Sequence, residues 1–164
     1  MEKSVAHLAP ITIACPCESI GRDLVIAVDF LGHCYTKAFD PEVHAKDEIL
    51  FYDGGSRPRV FCPDRYQLSF ALPDLLRALP GKKVFQTTVS RNYLYAVTLA
   101  AQNTIYEIYF MLKRDDGEPD LRLIVESAYP VAAPSGVRKR PSQIRFNVLA
   151  YKVLRNEPVK FAAR

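Results

Sequence analysis

Between Lys83 and Tyr129 the chain offers four runs rich in β-branched and aromatic residues, joined by connections of only a few residues. The runs are Lys83 to Val89, Tyr93 to Ala101, Thr104 to Lys113 and Leu121 to Tyr129. Their composition is that of strands. The connections are Ser90-Arg91-Asn92, Gln102-Asn103 and the polar stretch Asp115-Asp116-Gly117-Glu118-Pro119-Asp120. Parallel neighbours need a crossover of a dozen residues or more, so links this short impose an antiparallel meander. The last run is expected to stop at Pro130, which cannot donate to a ladder.

Helical spacing stands out once. From Pro63 to Leu79, Leu68, Ala71 or Leu72, Leu75 or Leu76, and Leu79 recur on one face,. Pro63 suits a first helical position, Pro73 kinks or restarts the helix, and Pro80-Gly81 ends it. The fold expected is therefore α+β, an antiparallel meander of at least four strands packed against one main helix over about 63–79. At 164 residues the chain fits a single domain, with 1–23 as a peripheral N-terminal segment and 24–161 as core,. Leu24 to Leu31 reads as a buried strand and Leu8 to Cys15 as a short edge strand cut by Pro16. Asp53-Gly54-Gly55-Ser56-Arg57-Pro58 reads as a loop. Gln143 to Leu154 fits either period; a strand is favoured, followed by a short final strand Val159-Lys160-Phe161.

No apolar run reaches the ~20 residues of a membrane span, and the first residues lack the order of an export signal. A cytoplasmic protein without membrane association is expected. Cys15, Cys17, Cys34 and Cys62 are then thiols rather than a disulfide framework,. Zinc is disfavoured because the one close pair, Cys15-Pro16-Cys17, is tighter than the usual two-to-four-residue knuckle. No metal and no cofactor are expected. Walker, dinucleotide-glycine, His-Glu-x-x-His and Gly-x-Ser-x-Gly patterns are all missing.

The formal net charge of +4 is unevenly spread. From Gly136 to Arg164 there are eight basic residues against the single acid Glu157, leaving fourteen basic and seventeen acidic residues before that point. Arg138, Lys139, Arg140 and Arg145 are the candidate contacts for RNA or another polyanion. Three groups and a pair of hydroxyls carry candidate chemistry. An unperturbed imidazole titrates near neutrality, which makes His33 and His44 the candidates for general acid or base work. Arg65, on the predicted helix, has the fork that grips a phosphate. In the run Leu121 to Tyr129, strand alternation puts Leu121, Leu123, Val125, Ser127 and Tyr129 on one face, so Ser127 and Tyr129 end an apolar row as a possible site rim. His7 is read as lying near the terminus, outside the folded part. Tyr93, Tyr95, Tyr106 and Tyr109 are candidates for an exposed aromatic sheet face, although packing under the helix is the commoner fate.

Arg59-Val60-Phe61-Cys62-Pro63-Asp64-Arg65-Tyr66-Gln67-Leu68-Ser69-Phe70-Ala71-Leu72-Pro73 resembles a run in bacterial proteins labelled stationary-phase growth adaptation proteins. Val125-Glu126-Ser127-Ala128-Tyr129 and Ile144-Arg145-Phe146-Asn147-Val148 extend the resemblance over roughly Arg59 to Phe161. It implies a bacterial cytoplasmic protein. The order of one helix before a four-strand meander also resembles the barnase–colicin–RelE class of small ribonucleases. That likeness implies metal-free RNA cleavage, with His33 or His44 as base or acid and Arg65 on the phosphate. Ser127 and Tyr129 would then position substrate, and a protein antitoxin would be a partner. The rival expectation is a non-catalytic module that binds nucleic acid or protein.

Overall fold

The computed structural model describes residues 3–87, 92–99, 103–132 and 142–160. Its main element is a seven-stranded sheet. The strands are β1 (Ile11–Cys17), β2 (Arg22–Phe30), β6 (Lys83–Gln86), β7 (Asn92–Leu99), β8 (Thr104–Arg114), β9 (Leu121–Ala132) and β10 (Gln143–Arg145). In space the order is β1-β2-β9-β8-β7-β6-β10. The meander β6 to β9 is antiparallel throughout, as the short links require. A second, three-stranded sheet is formed by β3 (Thr36–Ala38), β5 (Arg57–Phe61) and β4 (Ile49–Asp53), with β5 in the middle. Asp53 to Arg57 is therefore a tight hairpin turn rather than an open loop. Gly54 and Gly55 both take positive φ, 56° and 80°, as such a turn demands,.

The N-terminal segment is part of the core, not its periphery. β1 pairs antiparallel with β2 from Ile11↔Val28 to Cys17↔Arg22, and Ile13, Cys15 and Cys17 alternate into the interior. Pro16 does not cut β1. It sits on the outer edge, where no ladder donor is needed, and its carbonyl accepts from Asn147 Nδ2 at 2.8 Å,. β2 then joins the meander by lying parallel to β9, Ile26↔Leu121 through Phe30↔Val125.

Three short helices replace the single one expected. α1 (Pro63–Ser69) and α2 (Leu72–Arg77) divide the predicted helix at Pro73, and α3 (Phe146–Leu154) occupies the ambiguous C-terminal stretch. Only Gln143–Arg145 of that stretch is strand. The helix wins beyond it because Phe146, Leu149 and Ala150 bury at i, i+3 and i+4 against the sheet,. Val159 and Lys160 form no strand, although Val159 packs on the core; Phe161 lies outside the described residues. Leu72, Leu76 and Leu79 are buried in one core with Ile26, Leu123, Ile108 and Phe110 of the sheet and the inward residues of α3. Tyr93, Tyr95 and Tyr106 point into this core, so no exposed tyrosine platform forms from them.

β9 departs from simple alternation. Tyr109 faces Ser127 while Phe110 faces Val125, so Glu126 is an extra residue, a β-bulge,. Leu121, Leu123 and Val125 are buried, and after the bulge Ala128 takes the inward place. Ser127 and Tyr129 consequently lie on the face opposite to Val125, a correction to strict alternation. The strand also runs on through Pro130, paired with Tyr106, because β2 has left that edge at Val125.

At the far end of β9, Asp120 is pinned. Arg22 donates to its two oxygens at 2.8 and 2.7 Å, and the Val25 N–H donates to Oδ2 at 2.8 Å. The guanidinium above all, with the backbone donor, outweighs the partial burial and holds the carboxyl at about 2. An unfolded aspartate titrates near about 3.9, so the folded state gains from Asp120 at any pH above that value and loses the gain as pH falls towards about 2. Urea unfolding of Asp120→Asn is expected to show a lower midpoint than wild type at neutral pH. The difference should shrink between about pH 4 and pH 2; a difference independent of pH would contradict the assignment.

Candidate functional site

Beyond Phe30 the chain turns through a single 3-10 turn, Gly32–Cys34, that lies on the β9 edge vacated by β2. The Leu31 N–H donates to Val125 O at 2.9 Å, and Cys34 Sγ approaches the same carbonyl at 3.8 Å. Gly32 is dictated by contact: a Cβ there would stand 2.6 Å from Phe51 Cζ. Phe51 belongs to β4, so the small sheet closes directly over the turn that carries His33.

His33 is thereby brought beside three arginines and one carboxylate. Its Nε2 is 3.1 Å from Asp53 Oδ2, and the same oxygen forms an ion pair with Arg57 at 3.0 Å. Arg59, on β5, donates from Nε to Thr36 Oγ1 at 3.3 Å and from an Nη to Thr36 O at 2.9 Å. Arg65, on α1, donates to Thr36 O at 2.8 Å and to His33 O at 3.2 Å. Two guanidinium groups from different elements thus converge on one carbonyl. Thr36 itself is fully buried, its hydroxyl donating to Gly32 O at 2.8 Å. Among the described residues neither Arg59 nor Arg65 has a carboxylate at ion-pair distance.

A carboxylate only accepts hydrogen bonds, so Nε2 of neutral His33 carries the proton and Nδ1 holds the lone pair. Burial lowers the His33 pKa from its ordinary value, and the positive charges of Arg59 and Arg65 lower it further against the pull of Asp53. Arg59 is lowered too, first by burial and then by Arg65. Two like charges held together in a half-buried place cost free energy, which makes the cluster the candidate site.

Arg65 is held on a second side by aromatic stacking. Its Cζ lies 4.8 Å from the Tyr129 ring centroid,. Tyr109 stacks on Tyr129 at 5.5 Å with 18° between planes and donates to Glu107 Oε2 at 2.6 Å. The bulge at Glu126 makes this possible, because it turns Tyr129 out of the core.

The residues picked from the sequence divide accordingly. His33, Arg65 and Tyr129 meet in one cluster. Ser127 lies two residues along from Tyr129, half-buried and opposite Tyr109. His44 sits in the loop after β3, where its Nδ1 accepts from the Asp40 N–H at 2.9 Å and its ring leans on Phe39. No described contact joins it to His33. Arg145 is exposed where β10 meets α3 and lines a cleft of about 390 Å³ with Glu18, Asn147 and Tyr151. That cleft borders Cys17, which pairs with Arg22 at the start of β2, whereas His33 follows its end. The two lie at opposite ends of the sheet. Arg138, Lys139 and Arg140 lie outside the described residues.

Asp53, Arg57, Arg59 and Thr36 were not singled out from sequence. Their one local signal was an Asp–Arg pair at i, i+4 flanking Gly-Gly. His7, read as outside the fold, is docked on α1: its ring stacks on Phe70 at 3.8 Å, and Nε2 is 2.7 Å from Ser69 Oγ. The Ser69 hydroxyl proton goes to Tyr66 O at 2.7 Å, so His7 donates from Nε2,.

The four cysteines are free, Cys15, Cys17 and Cys34 being buried. Burial pushes Cys15 up to about 11 and Cys34 to about 12, the latter in spite of Arg65, which suits inert core thiols and not nucleophiles,. Among the described residues no three His, Cys, Asp or Glu side chains are grouped to hold a metal ion. No helix among them is long and apolar enough to cross a membrane.

A family model described as the YjaZ family matches residues 2–154. Protein YjaZ of Escherichia coli is 28% identical over 132 residues, an alignment covering 79% of this chain and 70% of that protein. No solved structure matches the chain. With a family model spanning nearly its whole length, the chain belongs to the YjaZ family.

Proposed function

We propose that the protein acts on RNA as a metal-independent endoribonuclease, with His33 as its base. The observation that carries this reading is the His33–Asp53 pair set beside Arg59 and Arg65. Asp53 fixes the imidazole with Nδ1 as acceptor, and the depressed pKa keeps it neutral near pH 7,. In the proposed step Nδ1 takes the proton of a ribose 2′-hydroxyl. The 2′-oxygen bonds to phosphorus, and the bond from phosphorus to the 5′-oxygen breaks. The products are a 2′,3′-cyclic phosphate and a 5′-hydroxyl that takes its proton from water. Arg59 and Arg65 stabilise the charge gathering on the non-bridging oxygens. Tyr129 keeps the Arg65 guanidinium in place, and Arg138, Lys139, Arg140 and Arg145 recruit the strand electrostatically. The resemblance to stationary-phase growth adaptation proteins is in keeping with a bacterial setting for this activity.

A non-catalytic RNA-binding role is the second reading. It is favoured by the position of His44, which leaves the cluster, among the described residues, with one imidazole and no second imidazole to protonate the leaving oxygen. Incubation of purified protein with total RNA in excess chelator separates the two. Fragments ending in 2′,3′-cyclic phosphate are expected; intact RNA that is nonetheless retained in a salt-dependent way would favour binding alone, and RNA neither cut nor retained would remove both.

A further inference from the structure

Outside the RNA reading, the cluster poses a simpler electrostatic question: what neutralises it. Arg57, Arg59 and Arg65 supply three positive charges, and Asp53 is the one carboxylate within ion-pair distance among the described residues. Asp53 is engaged on its His33 and Arg57 side, while Arg59 and Arg65 meet at Thr36 O without an anion of their own. Backbone and hydroxyl oxygens take up two N–H groups of Arg59 and two of Arg65, the latter both on one Nη, leaving the remaining guanidinium N–H groups of both for a ligand,. Planar forks presented in pairs suit an anion with several oxygens at tetrahedral angles better than a lone halide.

We infer that Arg59, Arg65 and the His33 imidazole form a binding site for one tetrahedral oxyanion, a phosphate group in the natural ligand, and that a dianion filling it, unlike the singly charged diester of the RNA reading, places a proton on His33. The inference deepens the RNA reading at the same site but requires no cleavage. The coupling follows from charge. In the empty site Arg59 and Arg65 oppose protonation of His33, while Asp53 favours it. A bound dianion screens both arginines and adds its own attraction, so the protonated imidazole becomes the stable form over a wider pH range. Linkage then requires tighter anion binding as pH falls through the His33 transition. The charged groups acting on His33 are those of Asp53 on β4, Arg59 on β5 and Arg65 on α1; β9, which also packs against the turn, contributes none of them. Asp53 also plays a second part, as an internal carboxylate competing with the ligand for the same positive field.

Sulfate is the appropriate probe, because its charge is constant across the pH range in which histidine titrates. On the full chain, the His33 ring proton signals are followed by NMR against pH, with sulfate and with potassium chloride at matched ionic strength. Sulfate is expected to raise the His33 midpoint by about one unit and to leave His44 unmoved. Calorimetry is expected to show sulfate binding that weakens about tenfold in Arg65→Gln and in Arg59→Gln. It should tighten about threefold in Asp53→Asn, a gain that a merely damaged fold does not produce. A His33 midpoint indifferent to sulfate in the wild-type protein overturns the inference, and so does equal affinity in wild type and Asp53→Asn. The two readings fail separately. Sulfate-responsive His33 with intact RNA would remove cleavage and keep the oxyanion site, whereas cut RNA with an unresponsive His33 would do the reverse.

Discussion

Replacing Phe110 with alanine is expected to lower the unfolding free energy by about 3–5 kcal/mol, as large aromatic truncations in closed cores do. Phe110 lies on β8, the middle strand of seven, and is fully buried. Its ring meets Tyr93 at 5.6 Å and Phe146 at 6.1 Å, which ties the meander to α3 on one side of the sheet. Removing it leaves a cavity that neither the sheet nor the helix can close without giving up its own hydrogen bonds. The measurement is urea unfolding followed by circular dichroism, with the slope of the transition unchanged. A loss under about 1 kcal/mol would mean that α3 does not seal that face.

His33→Ala is expected to reduce the RNA cleavage rate by about two to four orders of magnitude, the range for loss of a positioned general base. Because the base must be unprotonated to work, the wild-type rate should fall on acidification. The fall comes below the ordinary histidine range of about 6.5, since burial and the neighbouring arginines lower the His33 pKa,. The dependence of kcat/KM on pH for a short oligoribonucleotide, which reports the free enzyme, reads both quantities. A variant as active as wild type, or a profile centred above the ordinary histidine pKa, would assign the chemistry elsewhere.

The meander was legible in the sequence because it depends on connection length, which is local information. The helix boundaries at Pro63 and Pro73 were legible for the same reason. Where the reading failed, a longer-range term decided. Gln143 to Leu154 satisfies two periods at once, and only the fit of Phe146, Leu149 and Ala150 against the sheet chooses the helix beyond Arg145. Strict alternation through Ser127 and Tyr129 missed Glu126, whose bulge is a property of the pairing with β8 rather than of β9 alone. Pro16 and Pro130 were read as strand breakers, yet each lies on an edge that asks for no donor.

The candidate site was legible by residue type and illegible by neighbourhood. His33, Arg65 and Tyr129 have the chemistry that attracts notice. Asp53, Arg59 and Thr36 become part of the site only because β5 pairs with both β3 and β4. Nothing in the local sequence announces that second sheet, whose strands are short and whose turn reads as a plain loop. His44, equally conspicuous in type, is held back by its own turn with Asp40.

The side-by-side alignment of Ile26 with Leu121 bears on how the polypeptide acquires its shape during synthesis. The N-terminal hairpin can form early, but its inner neighbour is not made until more than ninety further residues have left the ribosome. Throughout that interval Leu24, Ile26 and Val28, all fully enclosed in the finished molecule, have no lasting cover. Contacts of such long sequence separation slow folding and lengthen the exposure of sticky surface. Nascent chains halted before Leu121 should therefore be the ones that chaperones hold most firmly, and release should coincide with the emergence of the segment that completes the sheet.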